Sequence, residues 1–454
     1  MTHAPKTTIR VGTGAGFSDD RIEPAVDLAE RGDIDYLVFE CLAERTIARE
    51  NLTRLKDPER GYTPYLAERF QAVLPSCVKN GIRIVTNMGA ANPLGAARAV
   101  RREAKALGIA DLPIAVVTGD DVADIVRANP QLPLMEDGSP VEALLPRMAS
   151  ANVYLGADVI RDGLATGAPV VMTGRVSDPS LFLGTMLHGL GWRYDDYPRL
   201  AVGTLAGHLM ECAAQVTGGC FIDPGKKDCD DPVNIGFPYA DVTQDGSLTL
   251  GKLDDSGGRL DVMTCTEQIL YEMHDPTSYI TPDCILDITD VEFAQAAKNR
   301  VRVTGMKARP RTPTYKVVVG YHDGYIGEGE VGYAGPNALA RAKLAEKIVR
   351  ERLRTRGFTY PEIRVDYIGM SSLHGMGVGD KIRPEPYEVR LRIAARSPDR
   401  KAAQAVGFEV RTLHVNGPSG GGGGSNGIRE VLAVKSILIP REMVKTTITV
   451  EGTL

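Results

Sequence analysis
The 454 residues are 43% hydrophobic and 24% charged, with a formal net charge of −5. That balance fits a globular protein too long for one ordinary core, so two or three domains are expected. It argues against a non-specific nucleic-acid binder, which would be basic, and no apolar run approaches the ~20 residues of a membrane-spanning helix.

The first apolar stretch, Thr8 to Gly12, reads as a strand running into Gly12-Thr-Gly-Ala-Gly16, with Ser18 or Asp19 placed to cap a helix near Arg21. Gly12, Gly14 and Gly16 lie between a strand and a helix, where their amides can hold a phosphate. The spacing is GxGxG rather than GxGxxG, so dinucleotide binding is not indicated. A strand at Asp35–Phe39 ends in Glu40-Cys41, with Glu44 beyond. A helix over 64–80 leads to a strand at Ile82–Val85, which ends in a polar turn holding Asn87 and Asn92. Ile114–Val117 ends in Asp120-Asp121, and Ala151–Leu155 is followed by a helix over 157–166. The strand Ala168–Met172 then stops at Thr-Gly-Arg175-Val-Ser-Asp178.

Short apolar strands alternating with helices predict βαβ units and a mostly parallel, Rossmann-like sheet covered by helices on both faces, with a barrel as the alternative. Strand carboxyl ends are where ligands sit in open α/β sheets. Arg175 offers a donor fork suited to a carboxylate or phosphate. Asp178 reads as a base, a metal ligand or, equally, the cap of the helix that starts near Pro179.

A helix over 199–216 puts His208, Glu211, Cys212 and Gln215 on one face. His208 and Glu211 are candidates for proton transfer. A third metal ligand is not evident, so no metal site is expected. Gly218-Gly219 is expected to end that helix. Thr264 and Glu267 have capping-box spacing, and Glu267 is also a candidate for substrate binding.

Beyond about 232 the strands alternate, at Arg300–Thr304, Tyr315–Tyr321, Ile363–Ile368 and Glu388–Ile393, with helices over 337–356 and 399–407. Residues 1–230 are therefore expected to form an α/β core and residues 231–454 an α+β domain with a mixed sheet. The run Gly417 to Ser425 reads either as a flexible loop or as an anion nest. The seven cysteines are odd in number and lack CxxC spacing, which points to a reducing cytoplasm.

Taken together, Gly12–Gly16, Asp35-Tyr-Leu-Val with Leu42-Ala-Glu44, Asn87 to Pro93, Gly174–Asp178, Gly207 to Gly219, Thr266–Glu272 and Arg311-Thr-Pro-Thr-Tyr-Lys316 resemble the acyclic terpene utilisation protein AtuA family, from about residue 8 to the C-terminus. The resemblance implies a catabolic step on an acyl-CoA or a branched carboxylic acid, of the hydration or dehydration type. It also implies a small ferredoxin-like-fold partner, fused or separate, and none is expected after the glycine-rich segment. A homo-oligomer is expected, and the resemblance fixes no cofactor. In a hydro-lyase, His208, Glu211 and Asp178 would move protons. Arg175, Asn87, Asn92, Glu267 and the glycines at 12, 14 and 16 would bind substrate. A non-catalytic acyl-CoA-binding or scaffold subunit is the alternative. A nucleotide-using ligase or transferase has only the glycine runs behind it.

Overall fold
The computed structural model describes residues 5–375, 377 and 386–453. In chain order the elements are β1 (Thr8–Ala15), α1 (Glu23–Arg31), β2 (Tyr36–Phe39), α2 (Glu44–Lys56), α3 (Leu66–Asn80), β3 (Arg83–Thr86), α4 (Pro93–Ala106), β4 (Ile114–Thr118) and α5 (Ala123–Ala128). They continue with β5 (Met148–Val153), α6 (Ala157–Ala165), β6 (Val170–Met172), α7 (Asp178–Gly189), α8 (Tyr197–Met210), β7 (Tyr239–Thr243), β8 (Leu248–Gly251) and α9 (Val262–Leu270). Next come β9 (Tyr279–Ile280), β10 (Cys284–Asp287), β11 (Glu292–Ala297), β12 (Arg300–Thr304), β13 (Lys307–Pro310) and β14 (Thr314–Ala334). The last are α10 (Ala338–Thr355), β15 (Glu362–Ile368), β16 (Glu388–Ser397), α11 (Arg400–Asn416), β17 (Gly422–Pro440) and β18 (Thr447–Glu451).

The chain divides into two compact units, Met1–Gly320 with Val434–Leu454, and Tyr321–Ala433. The first contains a ten-stranded mixed sheet in the order β11-β12-β8-β7-β1-β2-β3-β6-β4-β18. Its central five strands, β1-β2-β3-β6-β4, are parallel. They are short and apolar because both faces are covered. Leu37, Phe39, Ile84, Val116 and Met172 pack against α1, α3 and α4, while α6, α7 and α8 pack in succession on one another, with α7 against β1, β2 and β3. Antiparallel strands flank the block, β7 beside β1 and β18 beside β4. Residue 230, the expected domain boundary, thus lies inside this unit. β5 leaves the sheet and pairs with β14 instead. All the parallel strands release their chain at one edge, and the polar turns gather there.

The second unit is a β-α-β-β-α-β succession, with its sheet ordered β15-β16-β14-β17. β16 runs antiparallel to both β14 and β15. This is the ferredoxin-like connectivity. Val331, Tyr333, Val389, Leu391 and Ile393 pack against α10 and α11. Strand alternation turns Glu328, Glu330, Arg390 and Arg392 to the other face. The glycine run, expected as a loop or a nest, enters β17 at Gly422. Strand pairing supplies there the order that glycine's own preferences do not.

No helix among the described residues is long and apolar enough to cross a membrane, and all seven cysteines are free.

Candidate functional site
The turn after β6 is clamped from two sides. Asp120, just past β4, accepts hydrogen bonds from the Arg175 backbone N–H at 2.8 Å and from Asn152 Nδ2 at 2.9 Å, both on Oδ2. A Cβ on Gly174 would lie 2.5 Å from that carboxylate, so only glycine lets the chain pass. On the other side Ser177 N–H donates to the Leu155 carbonyl at 2.9 Å. Asp120 is buried, and burial pushes it up to about 6 against the pull of these donors.

This clamp holds Arg175 almost wholly buried, at 1% exposure. Its guanidinium lies 4.2 Å from the centre of the Tyr154 ring. It donates to the Leu42 carbonyl, sits 3.0 Å from Asp178 Oδ1 and 3.9 Å from Glu40 Oε1. Glu40 ends β2. Its Oε1 accepts from Asn87 Nδ2 at 2.9 Å and from the Leu42 amide at 2.8 Å. Glu44, at the start of α2, accepts from the Tyr154 hydroxyl and lies 3.5 Å from Lys316. One buried guanidinium therefore faces three carboxylates.

The charge cannot be balanced, and protonation responds. Burial drives Glu40 well above the ordinary carboxylate range, and the Asp178 charge adds to it against Arg175. Asp178 is raised by burial, with Arg175 opposing and Glu44 adding. Glu44 goes the other way. Burial would raise it, but Arg175 and the Tyr154 hydroxyl pull it down to about 2. Arg175 stays firmly charged, because its carboxylate neighbours outweigh the cost of burial.

His208 and Glu211 stand beside this cluster. His208 is fully buried. Its Nε2 is 3.2 Å from the Ile269 carbonyl and its Nδ1 3.3 Å from Glu211 Oε1. Burial lowers the imidazole pKa against the Ile269 carbonyl, so the ring is neutral. A carbonyl only accepts, so Nε2 carries the hydrogen and Nδ1 is left as an acceptor. Glu211 must then donate, as a carboxylic acid. Its own shift agrees, since burial raises it well above the ordinary range, with Asp178 and Glu272 adding. Both inferences rest on burial, which disfavours the charged form of either group.

Four buried polar atoms here find no hydrogen-bond partner among the described residues: Arg175 Nε, Asp178 Oδ1, Glu211 Oε2 and Gln268 Oε1. Arg175 and Asp178 are close enough for an ion pair but not aligned for a hydrogen bond. Gln268 Nε2 donates to the His208 carbonyl at 3.4 Å. Orphaned polar atoms are costly and rare in native interiors, and several in one cluster mark a place for a ligand. Asp178 retains 30% side-chain exposure and is the cluster's edge towards solvent. Among the described residues no group of three or more His, Cys, Asp or Glu side chains is arranged to hold a metal ion.

Several expected residues lie elsewhere or do other work. α7 starts at Asp178 itself with Ser177 as its N-cap, so Asp178 does not cap the helix and its carboxylate is left to Arg175. α8 ends at Met210, with Glu211 as its C-cap, rather than at Gly218. Asn87 comes to the site, but both ends of its amide are used, on Glu40 and on the Cys41 N–H. Asn92 caps α4 through Gly95 N–H at 3.0 Å and donates to the Pro58 and Arg60 carbonyls. Gly12 and Gly14 lie inside β1. A Cβ on Gly14 would meet the Phe39 ring at 2.6 Å, and one on Gly16 the Cys212 backbone at 2.5 Å. The Gly16 N–H already donates to Asp20. Close packing accounts for Gly14 and Gly16. Glu267 is exposed and pairs with Lys227. The capping box on α9 runs from Asp261 to Thr264.

Glu40, Glu44 and Tyr154 are central to the cluster but were not among the expected site residues. Glu40 had a signal, a carboxylate at a strand end. Tyr154 had none beyond lying in a short apolar strand.

A family model described as "Acyclic terpene utilisation family protein AtuA" matches residues 9–450. No curated protein and no solved structure matches the chain. The chain belongs to the AtuA family, whose role is in acyclic terpene utilisation, a catabolic pathway.

Proposed function
We propose, from that membership and the carboxylate cluster, that the protein is a hydro-lyase that adds water to, or removes it from, a branched acyl thioester. The carrying observation is the buried Glu211 beside His208, whose other nitrogen faces the Ile269 carbonyl; burial raises Glu211 well above the ordinary carboxylate range and favours its acid form. Carboxyl groups that feel one another's charge titrate as a unit, so one acid and one base can coexist at neutral pH.

In the dehydration direction, the Asp178 carboxylate removes the proton from the carbon next to the carbonyl. Glu211 delivers its proton to the departing hydroxyl, which leaves as water as the carbon–carbon double bond forms. The unpartnered Arg175 Nε–H donates to the thioester oxygen as negative charge develops there. Hydration is the same sequence reversed. The excess of carboxylates over cations favours a thioester, whose carbonyl is uncharged, over a free carboxylate. That consideration revises the expectation that Arg175 clamps an anion, because Glu40, Glu44 and Asp178 already surround it.

The test is to incubate the purified protein with branched 2-enoyl and 3-hydroxyacyl thioesters in D₂O. Interconversion with deuterium at the α-carbon is expected, slowed ~10²–10⁴-fold by Glu211→Gln. Tight binding with neither turnover nor α-exchange would overturn the reading and leave a carrier role.

A further inference from the structure
The segment from Arg311 to Lys316 has two differently employed ends. Lys316 lies at the rim of the carboxylate site, 3.5 Å from Glu44 and 4.9 Å from the centre of the Tyr154 ring. Arg311 lies 4.9 Å from the centre of the Tyr194 ring, and Arg161 lies 5.8 Å from the same ring. Arg161, Arg193, Arg311, Trp192 and Tyr194, with the carboxylates of Asp195 and Asp283, line a cavity of 560 Å³.

Two chain segments run from the cavity lining to the site. Asp283 accepts from the Ser180 and Tyr194 hydroxyls and from the Ala157 amide at 2.8 Å. Ser180 is two residues from Asp178 on α7. Gly156, two residues past Tyr154, has no side chain because a Cβ would meet Asp283 at 2.6 Å and the Tyr194 hydroxyl at 2.9 Å. Two residues of extended chain span at most ~7 Å, and the five steps from Arg311 to Lys316 at most ~18 Å.

The lining suits a phosphate and a planar ring. Guanidiniums present paired donors to phosphate oxygens and stack on flat π systems. Arg161 and Arg193 each hold an exposed aspartate of their own segment, Asp162 and Asp195. Exposed pairs of this kind are weak and exchange readily. Arg311 has no ion-pair partner among the described residues, and Asp158 is the carboxylate whose charge it feels.

We propose that this cavity binds a nucleoside phosphate, the 3′-phosphorylated adenosine diphosphate end of a CoA thioester whose acyl end enters the carboxylate site. The link to the acyl end rests on the hydro-lyase reading, while the phosphate recognition stands on the cavity alone.

Trp192 is the only tryptophan in the chain and lines the cavity, so its fluorescence is a local probe. Adenosine 3′,5′-bisphosphate, ADP, inorganic phosphate and pantetheine are titrated against the full chain. The expected result is a saturable fluorescence change with the bisphosphate, weaker with ADP, and none with pantetheine. Arg311→Ala and, separately, Arg161→Ala weaken bisphosphate binding about tenfold. Arg311→Lys restores part of it. In turnover, Arg311→Ala raises KM for a CoA thioester at least fivefold more than KM for the matching pantetheine thioester. No saturable response to millimolar bisphosphate, or an affinity unchanged in both alanine variants, overturns the proposal. An equal response to inorganic phosphate alone also overturns it, since the nucleoside would then add nothing. If hydration persists without nucleotide binding, only this proposal falls. If the nucleotide binds without hydration, only the hydro-lyase reading falls.

Discussion
Arginines meet carboxylates in two parts of this molecule, with opposite results. On the open sheet face of the second unit, Arg364, Arg390, Arg392 and Arg396 face Asp323, Glu328, Glu330 and Asp366. The numbers match and the charges cancel, although the Asp366 and Asp323 side chains are themselves largely buried, at 7% and 10% exposure. At the strand ends of the first unit one buried Arg175 faces Glu40, Glu44 and Asp178, with Glu211 nearby. There the charges do not cancel, protons make up the difference, and polar atoms go without partners. Balanced charge needs no proton to settle it, whereas unbalanced buried charge stores protons and is where chemistry is expected.

The sharpest way to break this contrast is to remove one cation from each region. Arg175→Met leaves buried carboxylates without their counter-ion and is expected to cost about 3–5 kcal/mol in urea unfolding. Arg392→Met loses Glu328 and Asp366, but the buried Asp366 keeps Arg364, so a smaller cost of about 1–2 kcal/mol is expected. Equal costs would erase the distinction. Gly174→Ala comes next. It pushes a methyl group against Asp120 and should cost about 1–3 kcal/mol, together with turnover, because the Arg175 turn shifts.

A pH experiment tests the same contrast through Asp120. Its folded pKa of about 6 lies above the ordinary 3.8. The stability it contributes is fully present below about pH 4 and is lost as pH rises through about 6. Both of its hydrogen bonds fall on Oδ2, so asparagine can keep them. Asp120→Asn should flatten the fall in unfolding free energy between about pH 4 and 6, by an amount on the order of 1–3 kcal/mol. An unchanged slope would place the titration elsewhere. The smallest effect is expected at Glu267→Ala, which loses only an exposed pair with Lys227. Stability should move by less than about 1 kcal/mol and turnover should not change.

Much of the first unit was legible because its signal is local. Short apolar strands with polar ends announce a parallel block, and the i, i+3 spacing brought His208 to Glu211 even though α8 stops at Met210. The cluster itself was only half legible. Glu40, Tyr154 and Arg175 come from β2, the end of β5 and the end of β6, and no spacing encodes contacts so far apart in the chain. The glycines of β1 misled for a physical reason. Tight packing and phosphate binding both require a missing side chain, and sequence cannot separate them. The second unit was obscured because β17 begins in a glycine run, where strand order comes from the neighbouring strand rather than from the residues.

The central claim is that Glu211 is a carboxylic acid at neutral pH. Infrared difference spectra between the native chain and Glu211→Gln at pH 7 address it directly. The expected result is a protonated-carboxyl carbonyl band that disappears in the variant. Loss of an ionised carboxylate band instead, with no protonated band in the native chain, would contradict it.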